Sequence, residues 1–145
     1  MRVLIVEPGQ YPREADIDGS LDTLQHIVGG LIETLYPWED RAVLICNDEG
    51  KLMGLPLNRS LEDYDIIAGT FFICGLGDED FCSLTEAQME HYKSKYRMPE
   101  LFFKTPDGVK GKPCSPSVYR LFMGQPERQR SCLLYTSDAA DDPYV

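Results

Sequence analysis

The chain has few of the residues that most protein chemistry uses. It holds two histidines, His26 and His91, and no Cys-x-x-Cys pair among Cys46, Cys74, Cys82, Cys114 and Cys132. Structural zinc needs ligands in close pairs, so no metal and no cofactor is expected. Cations are scarce as well: 14 Lys and Arg stand against 24 Asp and Glu, for a net charge of −10. A non-specific grip on phosphates needs clustered cations, so neither direct nucleic-acid binding nor attachment to an anionic membrane is expected. No apolar stretch approaches the roughly 20 residues of a membrane span. Met1-Arg2-Val3-Leu4-Ile5-Val6 turns polar at Glu7, too soon for a secretory signal. Together these absences predict a cytoplasmic protein with reduced thiols. There is no G-x-S-x-G nucleophile elbow, and Gly75-Leu76-Gly77 lacks the third glycine of a dinucleotide fingerprint.

What is present is a series of short apolar runs with turn residues between them. Val3-Leu4-Ile5-Val6, Ala42-Val43-Leu44-Ile45-Cys46 and Thr70-Phe71-Phe72-Ile73-Cys74 read as buried strands. Arg13–Ile17 reads as an edge strand, Leu31–Tyr36 as another strand, and Lys51–Leu57 as one weakened by Gly54 and Pro56. Ser20 is a good N-cap, with Leu21, Leu24 and Val28 on one helical face and Gly29-Gly30 as the stop. Ser83-Leu84-Thr85-Glu86 has the capping-box form before a second helix that ends ahead of Pro99. Asn58-Arg59-Ser60-Leu61 reads as a loop or a single helical turn. Short strand-to-strand links favour antiparallel pairing. The expected fold is α+β: an antiparallel or mixed sheet with two helices packed on one face.

Residues 1–103 read as a single α+β domain, and 104–130 as a loop or linker with room for an extra strand at Val118–Met123. Residues 131–145 read as a non-native tail. Cys132-Leu133-Leu134-Tyr135-Thr136-Ser137-Asp138-Ala139-Ala140-Asp141-Asp142 resembles a translated sequencing-library adapter.

Five segments, in order, resemble one family. They are Val3 to Gly9; Ser20 to Gln25 with Val28-Gly29-Gly30 and Ile32-Glu33; Asn47 to Leu52 with Gly54 to Arg59; Asp65 to Phe71; and Phe81 to Leu84. Over about residues 1–100 the chain resembles the domain of unknown function 3846, carried by phages and mobile elements of gut bacteria. The resemblance implies a phage accessory protein in a bacterial host cell and no particular activity.

A binding function has better material than a catalytic one. Arg59 offers a fork-shaped cation beside Asn58 and Ser60, suited to two oxygens at once. Gly69-Thr70 would let backbone amides approach a ligand, and Tyr36 and Trp38 would offer a flat face for a base. Asn58, Arg59, Ser60, Gly69, Thr70, Trp38 and Tyr36 are therefore the expected ligand site, and no catalytic residue is expected. The ligand would be a small anionic nucleotide-type signal, held without cleavage as an anti-defence device, with the site formed in a homo-oligomer. The alternative is an acidic DNA mimic, or inhibitor of a host defence protein. It would present Asp16, Asp18, Asp22, Glu39, Asp40, Glu62, Asp63, Asp65, Asp78, Glu79 and Asp80 in rows. A metal-dependent nuclease built on Asp40, Glu49 and Lys51 is weaker, because Glu49 and Gly50 fall in a turn rather than on a strand.

Overall fold

The computed structural model describes residues 1–63 and 65–124. The adapter-like stretch lies outside the described residues. Five strands form the spine of one antiparallel sheet in the order β2 (Arg13–Asp16), β1 (Arg2–Val6), β7 (Phe71–Leu76), β4 (Ala42–Asn47), β3 (Ile32–Leu35). The two-residue β8 (Phe81–Cys82) pairs with the end of β7. Two separate ribbons complete the strands: β5 (Leu57–Leu61) with β6 (Asp65–Ala68), and β9 (Glu100–Thr105) with β10 (Gly108–Pro113). Helices α1 (Leu21–Val28), α2 (Glu86–Lys95) and α3 (Pro116–Met123) follow their predecessors in chain order. The class is α+β, as the sequence predicts.

The helices are not on one face. Leu24 and Val28 of α1 pack on Val3, Ile5, Val43, Ile45, Phe72 and Cys74. Met89 and Tyr92 of α2, with Tyr96 beyond it, pack on Leu4, Val6, Leu44, Phe71 and Ile73 from the opposite side. The reason lies in the strands. Successive side chains of a strand point to opposite faces, and β1, β4 and β7 are apolar at nearly every position. One covered face would leave half of those side chains in water, at roughly 1.5–3 kcal/mol for each large one. Leu61 of β5 and Ile67 of β6 join α2 in covering that second face.

Several expected elements change. Ser20 caps α1 by accepting from the Thr23 N–H, and Gly29 ends the helix in the left-handed conformation, as predicted. The cap of α2 falls two residues later than expected, at Thr85, with Gln88 as its reciprocal partner. Asn58-Arg59-Ser60-Leu61 is strand, not loop. The stretch read as linker is the β9–β10 hairpin, which crosses the expected boundary at 103. Val118–Met123 is helical rather than extended. Phe102 holds the hairpin to the rest by packing with Leu57 and Ala68. Among the described residues no helix is long and apolar enough to cross a membrane.

Candidate functional site

The residues expected to meet a ligand mostly meet protein instead. Arg59 is 1% exposed. Its Nε donates to the Tyr96 carbonyl at 3.1 Å, Nη1 to the Asn58 carbonyl and Oδ1 at 3.2 and 2.9 Å, and Nη2 to the Gln10 carbonyl at 2.6 Å. Burial pulls its pKa down to about 10, opposed by the charge of Glu100. Asn58 is fully buried and donates from Nδ2 to the carbonyls of Val6 and Gly69, each at 2.8 Å.

Gly69 has both backbone groups engaged, its N–H donating to Pro56 O at 2.7 Å and its carbonyl accepting from Asn58. Its φ is +84°, and a Cβ there would stand 2.7 Å from Leu55 Cδ1. The glycine therefore answers a backbone requirement rather than a ligand. Thr70 is half-buried. Trp38 packs on Tyr92 with ring centroids 4.4 Å apart and the planes tilted by 42°, and donates from Nε1 to Glu62. Tyr36 is exposed near the end of β3.

Of the seven, only Ser60 lines the largest hollow described, a groove of about 610 Å³ between the two ribbons. That volume lies within the usual range for small-molecule sites, roughly 300–1,000 Å³. Leu57, Ile66 and Val109 make its apolar wall. Lys51, Asp63, Asp65 and Lys110 supply its charge, with Ser60 and Gly111 at its rim. Lys51 is held by Asp65 at 2.8 Å. Lys110 and Asp63 have no ion pair among the described residues and can turn toward a guest. The stretch that reads as linker does carry a signal for this site. Thr105-Pro106-Asp107-Gly108 is turn chemistry between the runs Leu101–Lys104 and Val109–Lys112, which together spell a hairpin.

Several of the acids named for the decoy reading are engaged with neighbours. Asp16 pairs with the N-terminal ammonium, Glu62 with Lys95, Asp65 with Lys51 and Asp78 with Arg41. Asp18 accepts from the Ser20 N–H and the Thr23 hydroxyl, and Asp80 from the Phe81 N–H. Asp40 accepts from the Tyr92 hydroxyl at 2.6 Å and from Gln88, which holds its carboxyl below the usual aspartate range. The nuclease trio is not assembled either. Asp40 is fastened to α2, whereas Lys51 and Glu49 sit beside Asp65 at a different hollow. Among the described residues no three His, Cys, Asp or Glu side chains gather to hold a metal.

Compared with known sequences, residues 1–97 match one family, described as a domain of unknown function (DUF3846). No curated protein and no solved structure matches the chain.

Proposed function

Since the chain belongs to the DUF3846 family, whose description names no activity, we propose from its own geometry that it is a binding protein which holds a small anionic, ring-bearing ligand. The groove between the β5–β6 and β9–β10 ribbons carries this reading, because it joins volume, an apolar wall and a cation, Lys110, without an ion pair among the described residues. A nucleotide-type ligand suits that combination. Its ring would lie on Leu57, Ile66 and Val109, its anionic group would approach Lys110, and a ring amino group or sugar hydroxyl would donate to Asp63. Of the expected site of Asn58, Arg59, Ser60, Gly69, Thr70, Trp38 and Tyr36, this groove keeps Ser60. The wider proposal is a phage-encoded accessory protein that withholds a nucleotide signal from host defence, as a homo-oligomer.

Native mass spectrometry of the protein with a nucleotide mixture tests this reading, because it reports bound mass and subunit count together. The expected result is one retained nucleotide per site, released intact on denaturation and lost in Lys110→Glu. Absence of any retained nucleotide would refute the groove reading. Recovery of a cleaved product would replace binding by catalysis.

A further inference from the structure

Beside the groove, two donors of one residue converge on one carboxylate. The Ser60 backbone N–H donates to Glu100 Oε2 at 2.8 Å, and the Ser60 hydroxyl donates to Glu100 Oε1 at 2.7 Å. Paired donors of this kind match the two oxygens of any carboxylate or phosphate. Gly111 abuts this pair, and its lack of a side chain leaves the room that Glu100 occupies. A Cβ on Gly111 would stand 2.3 Å from Glu100 Oε1 and 2.9 Å from Ser60 Oγ.

The buried charge of Arg59, one residue earlier in β5, calls for an anion. The hydrogen bonds from Arg59 go to carbonyl oxygens, which carry no net charge. A buried guanidinium is costly without a counter-charge, and Glu100 is the foremost group favouring its charged form. That counter-charge comes from β9, beyond the residues matched to the family. The family portion therefore supplies the donors and the cation, and the following hairpin supplies the anion.

We propose that the Ser60 N–H and hydroxyl, beside Gly111, form an oxyanion-binding subsite that Glu100 of the same chain fills. A carboxylate or phosphate group from outside would take the same two donors once Glu100 is removed. The β9–β10 hairpin is in this respect an internal occupant. The inference stands whether or not the groove holds a nucleotide, since it concerns donors already engaged with an anion.

The test uses the full chain with Glu100→Ala and follows melting through Trp38 fluorescence. Inorganic phosphate and acetate are titrated separately against chloride at matched ionic strength. In Glu100→Ala, phosphate or acetate is expected to raise the melting temperature by about 4 °C at ten times its dissociation constant. The unaltered protein, its niche filled, should not respond. A response to phosphate alone assigns a phosphate-type ligand, and a response to acetate as well assigns a carboxylate. The double variant Ser60→Ala with Glu100→Ala keeps the backbone N–H and loses the hydroxyl, so its response should be clearly weaker. An unresponsive Glu100→Ala, or a response undiminished in the double variant, overturns the proposal. If Glu100→Ala does not fold, Glu100→Gln keeps an acceptor without the charge. The Ser60 amide resonance should then move on adding phosphate, and a stationary resonance overturns the proposal. Failure of the groove reading is separately visible, because it is read in the unaltered protein with nucleotides.

Discussion

Replacing Arg59 by methionine separates two roles for that residue. As a surface ligand-binding arginine it would be removable at a cost within about 0.5 kcal/mol. As a buried tie it joins three segments of chain: β5 itself, the turn after β1 through Gln10, and the end of α2 through Tyr96. Methionine fills much of the volume but leaves the Gln10 and Tyr96 carbonyls without these donors. A carbonyl that loses its donor in the interior costs about 1–3 kcal/mol, less at Gln10, whose carbonyl is only partly buried, and the attraction between Arg59 and Glu100 is lost. The expected loss is about 3–5 kcal/mol, out of the 5–15 kcal/mol or so typical of a whole domain. Arg59→Lys should recover less than half of it. One ammonium cannot reproduce the planar fork that reaches Tyr96 with one nitrogen and Gln10 with another. Urea unfolding followed through Trp38, whose ring lies on Tyr92, measures both variants. A loss below about 1 kcal/mol for Arg59→Met would refute the structural role and return the side chain to the candidate ligand site.

Tyr92→Phe removes the hydroxyl that lowers the Asp40 pKa, so the Asp40 carboxyl should titrate closer to the ordinary 3.8, as read by carboxyl carbon NMR. The sign follows from proton linkage. The folded carboxyl binds protons less readily than the unfolded one, so its stabilisation is present above 3.8 and fades as pH falls through the lowered folded value. Tyr92→Phe should reduce that acid-dependent loss. Gly69→Ala forces a side chain into φ +84° and against Leu55, at an expected cost of about 1–3 kcal/mol in the same urea assay. Burial pushes the Cys46 and Cys74 thiols up to about 12. Alkylation at pH 8 should therefore spare both in the folded protein and label the exposed Cys82, with peptide mapping as the readout; labelling of Cys46 or Cys74 before unfolding would contradict the packing.

The elements that were legible are those in which the signal is local. Ser20 and Gly29 mark the ends of α1 because capping is decided within a few residues. The unbroken apolar runs of β1, β4 and β7 mark buried strands, and their lack of alternation already implies cover on both faces. The face that each helix covers is not legible in the same way, because links between strands report pairing direction and not the side on which a crossover packs. The site was less legible for a different reason. Arginine beside asparagine and serine suits a ligand oxyanion and a backbone carbonyl equally, since both are oxygen acceptors. What separates the two cases is whether another segment arrives to cover the fork. At Arg59 the covering groups are Gln10, 49 positions earlier, and Tyr96, 37 positions later, and no local pattern encodes contacts at that distance. Ser60, one position on in the strand, keeps the ambiguity in the folded protein. Its donors face a carboxylate supplied by β9, and the same geometry would receive an anion from solution once that carboxylate is removed.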